Sequence, residues 1–110
     1  MSTLLLNHSA CFSHTVPEGH PECPERLAAV EAALAQPSFA ALVRREAPKG
    51  RLEDIALCHS DYYVNELQHI SPSEGLAFID GDTSMSPGTW EAALRCVGGA
   101  TAAVDAVMTT

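Results

Sequence analysis

Basic side chains are scarce in this sequence: 6 Lys plus Arg stand against 14 Asp plus Glu, a formal net charge of −8. So acidic a chain lacks the cation density needed to track a phosphate backbone, which argues against nucleic acid as a partner. Aromatic residues are equally thin at 5%, so a core must come from Ala, Leu, Val and Ile. No apolar run approaches the roughly 20 residues that cross a bilayer, which excludes an integral membrane span. The opening segment Met1–Ala10 has no basic region and too short an apolar stretch for a secretory signal, so the expected compartment is the cytoplasm. Four cysteines, Cys11, Cys23, Cys58 and Cys96, include no Cys-x-x-Cys pair. In a reducing compartment such thiols are expected to be buried or ligating rather than disulfide-bonded.

What is present suffices for one structural unit. The chain has 110 residues and is 46% apolar, which fits a folded domain and not a disordered segment. Thr3–Leu6 reads as a short strand, buried on both faces. Residues 7–23 form a long polar loop rich in His, Ser, Pro and Gly, and loops of that length inside a domain usually carry function. Pro24 suits the first turn of a helix, and Leu27, Val30 and Leu34 recur at helical spacing, predicting a helix over about 24–35. Pro37 opens a second short helix, Val43–Ala47 is a candidate strand, and Leu52–Leu57 another short helix.

Ser60 is a plausible N-cap for a helix over 60–70 that buries Tyr63, Val64, Leu67 and Ile70. Leu76–Ile79 is a short apolar patch, followed by the turn Asp80-Gly81-Asp82-Thr83. Ser86 and Pro87 predict the start of a last helix over 87–108, with Trp90, Leu94, Val97, Thr101, Val104 and Met108 facing inward. Gly98-Gly99 costs that helix about 1 kcal/mol per glycine relative to alanine, so another backbone is expected to pass close by. The alternation of strands and helices indicates an α/β architecture.

The densest chemistry lies in the loop, where His8, Cys11, His14, His20 and Cys23 place five potential ligands within 16 residues. Zinc takes four such ligands tetrahedrally, but the spacing matches none of the usual paired-ligand patterns. The residues therefore read better as hydrogen-bonding and packing groups in a shaped loop, with a structural zinc, or a small interaction module built on this loop, as the alternative. Cys11 with His8 or His14 could form a nucleophilic pair, but no orienting carboxylate or oxyanion hole is specified. Gly19-His20-Pro21-Glu22-x-Pro24-Glu25-Arg26-Leu27 is more specific: the prolines hold the backbone extended and so aim His20 and Glu22. Arg26, in the first helical turn, is either a solvated surface residue or one directed inward to a carboxylate or to backbone carbonyls.

Three blocks in order resemble the opening of the histone deacetylase superfamily, whose bacterial members include acetoin-utilisation proteins and acetylpolyamine amidohydrolases. They are His14 with Gly19-His20-Pro21-Glu22-x-Pro24-x-Arg26-Leu27; Leu57-Cys58-His59-Ser60-x-x-Tyr63-Val64; and Asp80-Gly81-Asp82-Thr83-x-Met85-Ser86-Pro87-Gly88-Thr89-Trp90-Glu91-Ala92-Ala93 running into Gly98-Gly99. The resemblance implies the N-terminal part of an arginase/deacetylase-like three-layer α/β fold with a parallel sheet. It implies zinc-dependent hydrolysis of an acetylated amine, in which a metal-bound water attacks the amide carbonyl. It further implies that Gly19–Pro21 belong to the first pocket loop, with His20 and Pro21 against the substrate. Arg26 matches the arginine that lines the cavity beneath the metal. One of Asp80 and Asp82 matches the rim carboxylate that holds the substrate backbone, and Asp82 is favoured; the alternative is a turn in which both satisfy nearby amides. The cluster of His8, Cys11 and His14 is also similar to a second, structural zinc site of some eukaryotic members, which use a different cysteine spacing.

The resemblance has gaps. No Asp-x-His, no Gly-His-His and no glycine-flanked tyrosine occur in the chain, so the family's metal ligands and catalytic groups have no match here. The expectation is a stretch that supplies pocket loops, carries no cofactor of its own and has no deacetylase activity alone. The family's catalytic domain is roughly three times this length, so 110 residues read as its first third, with sheet edge and helix faces open to self-association.

Overall fold

The computed structural model describes residues 1–109. Strand β1, Leu4–Asn7, and strand β2, Val43–Glu46, pair in parallel, with Leu4 opposite Val43 and Asn7 opposite Glu46. Parallel strands need a long crossover, and helix α1, Pro24–Leu34, supplies it. Pro24 occupies its first turn, where a missing N–H costs nothing. A 3-10 turn at Pro37–Phe39 then leads into β2. The short helix α2, Leu52–Ile55, precedes helix α3, Asp61–Ile70, which Ser60 caps by accepting the Tyr63 N–H at 3.2 Å. Strands β3, Ala77–Phe78, and β4, Ser84–Met85, form a two-residue antiparallel hairpin carrying Asp80–Thr83 at its tip. The long helix α4, Thr89–Met108, closes the described chain and packs on β1.

The loop expected over 7–23 is more ordered than its composition implies. β1 runs on to Asn7, and Ser9–Ser13 wind into a 3-10 turn against α4. His8 starts that turn, its Nδ1 accepting the Ala10 N–H at 2.9 Å. β1 is half-buried along its length rather than fully buried, because its only partner strand among the described residues is β2.

α4 begins at Thr89, two residues later than Ser86-Pro87 suggests, since Ser86 is 1% exposed and spends its hydroxyl on a different loop. Its inward line also differs. The helix buries Ala92, Leu94 and Gly98, whereas Val104, Val107 and Met108 are 58%, 73% and 77% exposed. Small residues face inward because α4 approaches neighbouring backbone closely. A Cβ on Gly98 would sit 1.8 Å from the Pro48 carbonyl oxygen, and the Gly50 N–H donates to the Leu94 oxygen at 2.8 Å. Tyr63 and Val30, expected to face inward, are exposed, while Val64 is buried. Cys58 and Cys96 are exposed as well, not buried thiols; all four cysteines are free.

The core is small: Ala47, Val64, Met85, Ala92 and Leu94. The accessible surface is 7645 Å², against about 5,900 Å² expected for a self-contained 11.7 kDa chain. The radius of gyration is 15.7 Å, where about 13 Å is expected for this length.

Candidate functional site

Two segments far apart in sequence meet at one end of α4: the loop from Ser13 to Cys23 and the segment from Asp80 to Thr89. Ser86 and Thr89 stitch them together. The Ser86 hydroxyl donates to the Ser13 carbonyl at 2.9 Å and accepts the Thr15 N–H at 3.0 Å. Thr89 Oγ1 accepts the Ser86 N–H at 2.8 Å and lies 2.7 Å from His14 Nδ1. Ser86 is thus buried with its hydrogen-bonding capacity satisfied, as buried hydroxyls require. Gly88 lets the two backbones approach: a Cβ there would lie 2.4 Å from Ser13 Cβ and 2.5 Å from its carbonyl oxygen.

Further out, the first loop turns at Pro17–His20. The His20 N–H donates to the Pro17 oxygen at 3.1 Å, and Gly19 has φ +81°, the pattern of a type II turn. That turn aims the His20 ring at the hairpin tip, where Nε2 lies 3.0 Å from Asp82 Oδ1 and 3.2 Å from the Asp82 carbonyl oxygen. The hydrogen bond that Asp82 accepts from the ring raises the His20 pKa above its ordinary 6.5. Asp80 does a different job. Its Oδ1 accepts the Asp82 N–H at 2.8 Å, and this backbone bond, with one from the Thr83 hydroxyl, lowers its pKa below 3.8. Asp80 is a turn residue that satisfies the Asp82 amide, while the Asp82 side chain is 91% exposed. Pro21 is exposed beside His20.

Arg26 is exposed in the first turn of α1 and borders an open hollow of about 550 Å³ shared with Cys11, His14, Glu22 and Cys23. The walls are mainly apolar side chains of α1. Burial pushes the Cys11 thiol pKa up, aided by nearby Cys96 and Glu31, which disfavours a thiolate there.

The potential ligands are not gathered into one set. His8 caps the Ser9–Ser13 turn, His14 meets Thr89, and His20 meets Asp82. Cys11 and Cys23 border the same hollow as His14 and Glu22. Among the described residues no group of three or more His, Cys, Asp or Glu is placed to hold a metal ion. The residues present therefore do not fit the metal of a metal-dependent hydrolase. Nor does any described helix have the length and apolarity to cross a membrane.

Sequence reasoning missed Ser13, Ser86 and Thr89 as the joint between the loops. The Ser-x-x-Thr spacing was visible but read as the start of a helix, and partners 73 residues away leave no local signal.

Comparison with known proteins bears on the family and the fold. Residues 20–110 match the family described as the histone deacetylase domain. A probable deacetylase of Archaeoglobus fulgidus is 33% identical over 111 residues, covering 98% of this chain and 30% of that protein. An uncharacterized protein of Synechocystis sp. is 33% identical over 88 residues, covering 76% of this chain and 29% of its own length. The crystal structure of the HDA15 HD domain shares the fold with a TM-score of 0.75 at 20% identity, over 89% of this chain and 30% of that one. The chain thus spans about 30% of the length of the relatives it matches. Its parallel β1–β2 pair, crossover helix and joined loops place it as the N-terminal part of their α/β architecture, and the chain belongs to the histone deacetylase domain family.

Proposed function

We propose that this chain forms one wall of the substrate pocket of a zinc-dependent deacetylase that hydrolyses acetylated amines of the acetyl-lysine or acetylpolyamine type in the cytoplasm. The observation that carries the reading is the contact between His20 of the first loop and Asp82 of the hairpin tip, which joins the two segments in one polar rim. In this reading Asp82, whose side chain is exposed, accepts an N–H of the acetylated substrate. Asp80 holds the Asp82 backbone, His20 and Pro21 face the substrate, and Arg26 faces the interior hollow. The residues present do not hold zinc, and no bond-breaking step runs through them. Their work is to bind and orient. The family's metal ligands and proton-transferring groups belong, on this proposal, to the part of the domain that the relatives carry beyond the matched third.

The test is an amide chemical-shift map of this chain titrated with Nα-acetyl-Nε-acetyl-lysine methylamide or N-acetylputrescine, with lysine methylamide as the unacetylated control. Perturbation centred on Gly19, His20 and residues 80–83 by an acetylated probe is expected, with no acetate released when zinc is added. Acetate release by the chain, or equal perturbation by the control, overturns the reading.

A further inference from the structure

We propose that His20 is the positioning residue of the rim: its imidazole, held as the Nε2–H tautomer by the Glu22 amide, fixes Asp82 so that one carboxylate oxygen stays open to a substrate N–H. The inference rests on the rim reading above and adds a residue with a specific tautomer to it.

Both ring nitrogens of His20 are engaged, and from opposite sides. The Glu22 N–H donates to Nδ1 at 3.1 Å. A nitrogen that accepts a hydrogen bond carries no proton, so in the neutral ring the proton sits on Nε2. Nε2–H then points at Asp82, within reach of Oδ1 at 3.0 Å and of the backbone oxygen at 3.2 Å. Asp82 is consequently held at its side chain and its carbonyl by His20, and at its N–H by Asp80 Oδ1 at 2.8 Å. Two donors, the Nε2–H shared between Oδ1 and the carbonyl oxygen and the Asp82 N–H on Asp80, fix an otherwise exposed residue, and Oδ2 takes no part in these bonds.

The alternative tautomer breaks this arrangement at both ends. With the proton on Nδ1, the ring confronts the Glu22 N–H donor to donor, and Nε2 confronts a carboxylate acceptor to acceptor. A cationic ring keeps Asp82 but releases the Glu22 amide. The geometry on both sides is therefore satisfied in one form only. The charged groups around the ring are Asp82 on the hairpin tip and Glu22, Glu18 and Glu25 on the loop and the start of α1. None of these is cationic, so Asp82 has no competing partner in this cluster.

Holding a rim side chain in advance spares the ordering that binding otherwise requires, an effect of about threefold to tenfold in affinity. The experiment uses this chain and the probe Nα-acetyl-Nε-acetyl-lysine methylamide. Long-range proton–nitrogen spectra at pH 8.5 are expected to show the His20 ring as the Nε2–H tautomer. His20→Ala should raise the probe Kd about threefold to tenfold, and His20→Gln, whose amide N–H can reach the Nε2 position, should recover most of the loss. A ring in the Nδ1–H form overturns the proposal in the unmodified protein, whatever the variants do. So does an unchanged Kd in His20→Ala, or a His20→Gln as weak as His20→Ala. Failure of the rim reading looks different: the tautomer is as expected, yet no acetylated probe moves the Asp82 amide, which leaves the His20–Asp82 clasp standing without a substrate.

Discussion

Gly98 and Gly99 are neighbours on α4, and replacing each by alanine should move stability in opposite directions. A Cβ on Gly98 would stand 1.8 Å from the Pro48 oxygen, 2.6 Å from the Pro48 carbonyl carbon and 2.8 Å from the Gly50 nitrogen. Ordinary contact begins at 3.4 Å, so the shortfall is about 1.6 Å, and every atom met is backbone. No rotamer change relieves it; the turn at 48–50 has to move away from the helix. Overpacking costs about 1–3 kcal/mol, and a clash this deep against main chain belongs at the top of that range. The displacement also breaks the Gly50 N–H bond to the Leu94 oxygen, about 1 kcal/mol net. Alanine returns about 1 kcal/mol of helix propensity, so Gly98→Ala should lose about 3 kcal/mol.

At Gly99 the nearest atom is Ala47 Cβ at 3.2 Å, a contact that a shift of a few tenths of an ångström absorbs. The propensity gain then dominates, and Gly99→Ala should be neutral or more stable by up to about 1 kcal/mol. Urea and thermal unfolding followed by helical circular dichroism read both. At about 4–8 °C per kcal/mol for a chain of this size, the two variants should melt more than about 10 °C apart. Equal melting of the two variants, or a Gly98→Ala as stable as the parent, would refute the close approach of α4 to the 48–50 turn.

Arg95 Nη1 donates to the Ala47 oxygen at 3.0 Å, and Ala47 is buried, so Arg95→Met should cost about 1–3 kcal/mol by stranding that carbonyl. Unfolding in urea measures it, and a loss too small to detect counts against the bond. Stability should peak between pH 4.5 and 6.5. Glu91 and Asp80 have pKa values lowered from 4.5 and 3.8, by Lys49 and Arg95 and by the Asp82 amide respectively, so their contribution is present above those values and fades as pH falls through the folded ones. The His20 pKa is raised from 6.5 by Asp82, so its contribution is complete below 6.5 and fades as pH rises through the folded value. Melting temperature against pH checks both limbs, and Asp82→Asn should flatten the alkaline one. Zinc added to the purified chain and then dialysed should remain well below one ion per chain; stoichiometric zinc lost in Cys11→Ser would show a ligand set that the separated side chains do not form.

How far the sequence speaks depends on whether a residue's cause is local. Pro24 starts α1 and Ser60 caps α3, because prolines and cap hydroxyls act within one turn. The glycine pair demanded a close backbone, and Gly98 has one. Periodicity misplaced the buried face of α4, because it ranks side chains by size, whereas the helix approaches its neighbours through Ala92 and Gly98. The site divides the same way. Gly19, His20 and Asp82 could be picked out by type and motif, but the contact spanning 62 residues between His20 and Asp82 has no local signature. The histidines of the loop read better as hydrogen-bonding groups than as ligands, and three of them close in sequence meet three different partners, because a 3-10 turn and a type II turn rotate them apart.

The surface is distributed unevenly, and that asymmetry bears on function. The chain exposes about 1,700 Å² more than a self-contained protein of its mass, an amount comparable to what two partners bury in a standard interface. The segments that carry the rim are fastened within the chain. There Ser86, Thr89 and Gly88 lock the hairpin segment to the first loop, and no buried side-chain polar atom among the described residues lacks a partner. The excess lies in part along the far half of α4, where Val104, Val107 and Met108 face outward. Apolar side chains at that density stabilise a fold only when something covers them, whereas the rim bonds are closed within the chain. The wall of the pocket is thus the part that local and cross-loop bonds complete without help. A perturbation that loosens the far half of α4 should leave the His20–Asp82 contact in place, since Gly88 and Ser86 fasten the near end independently.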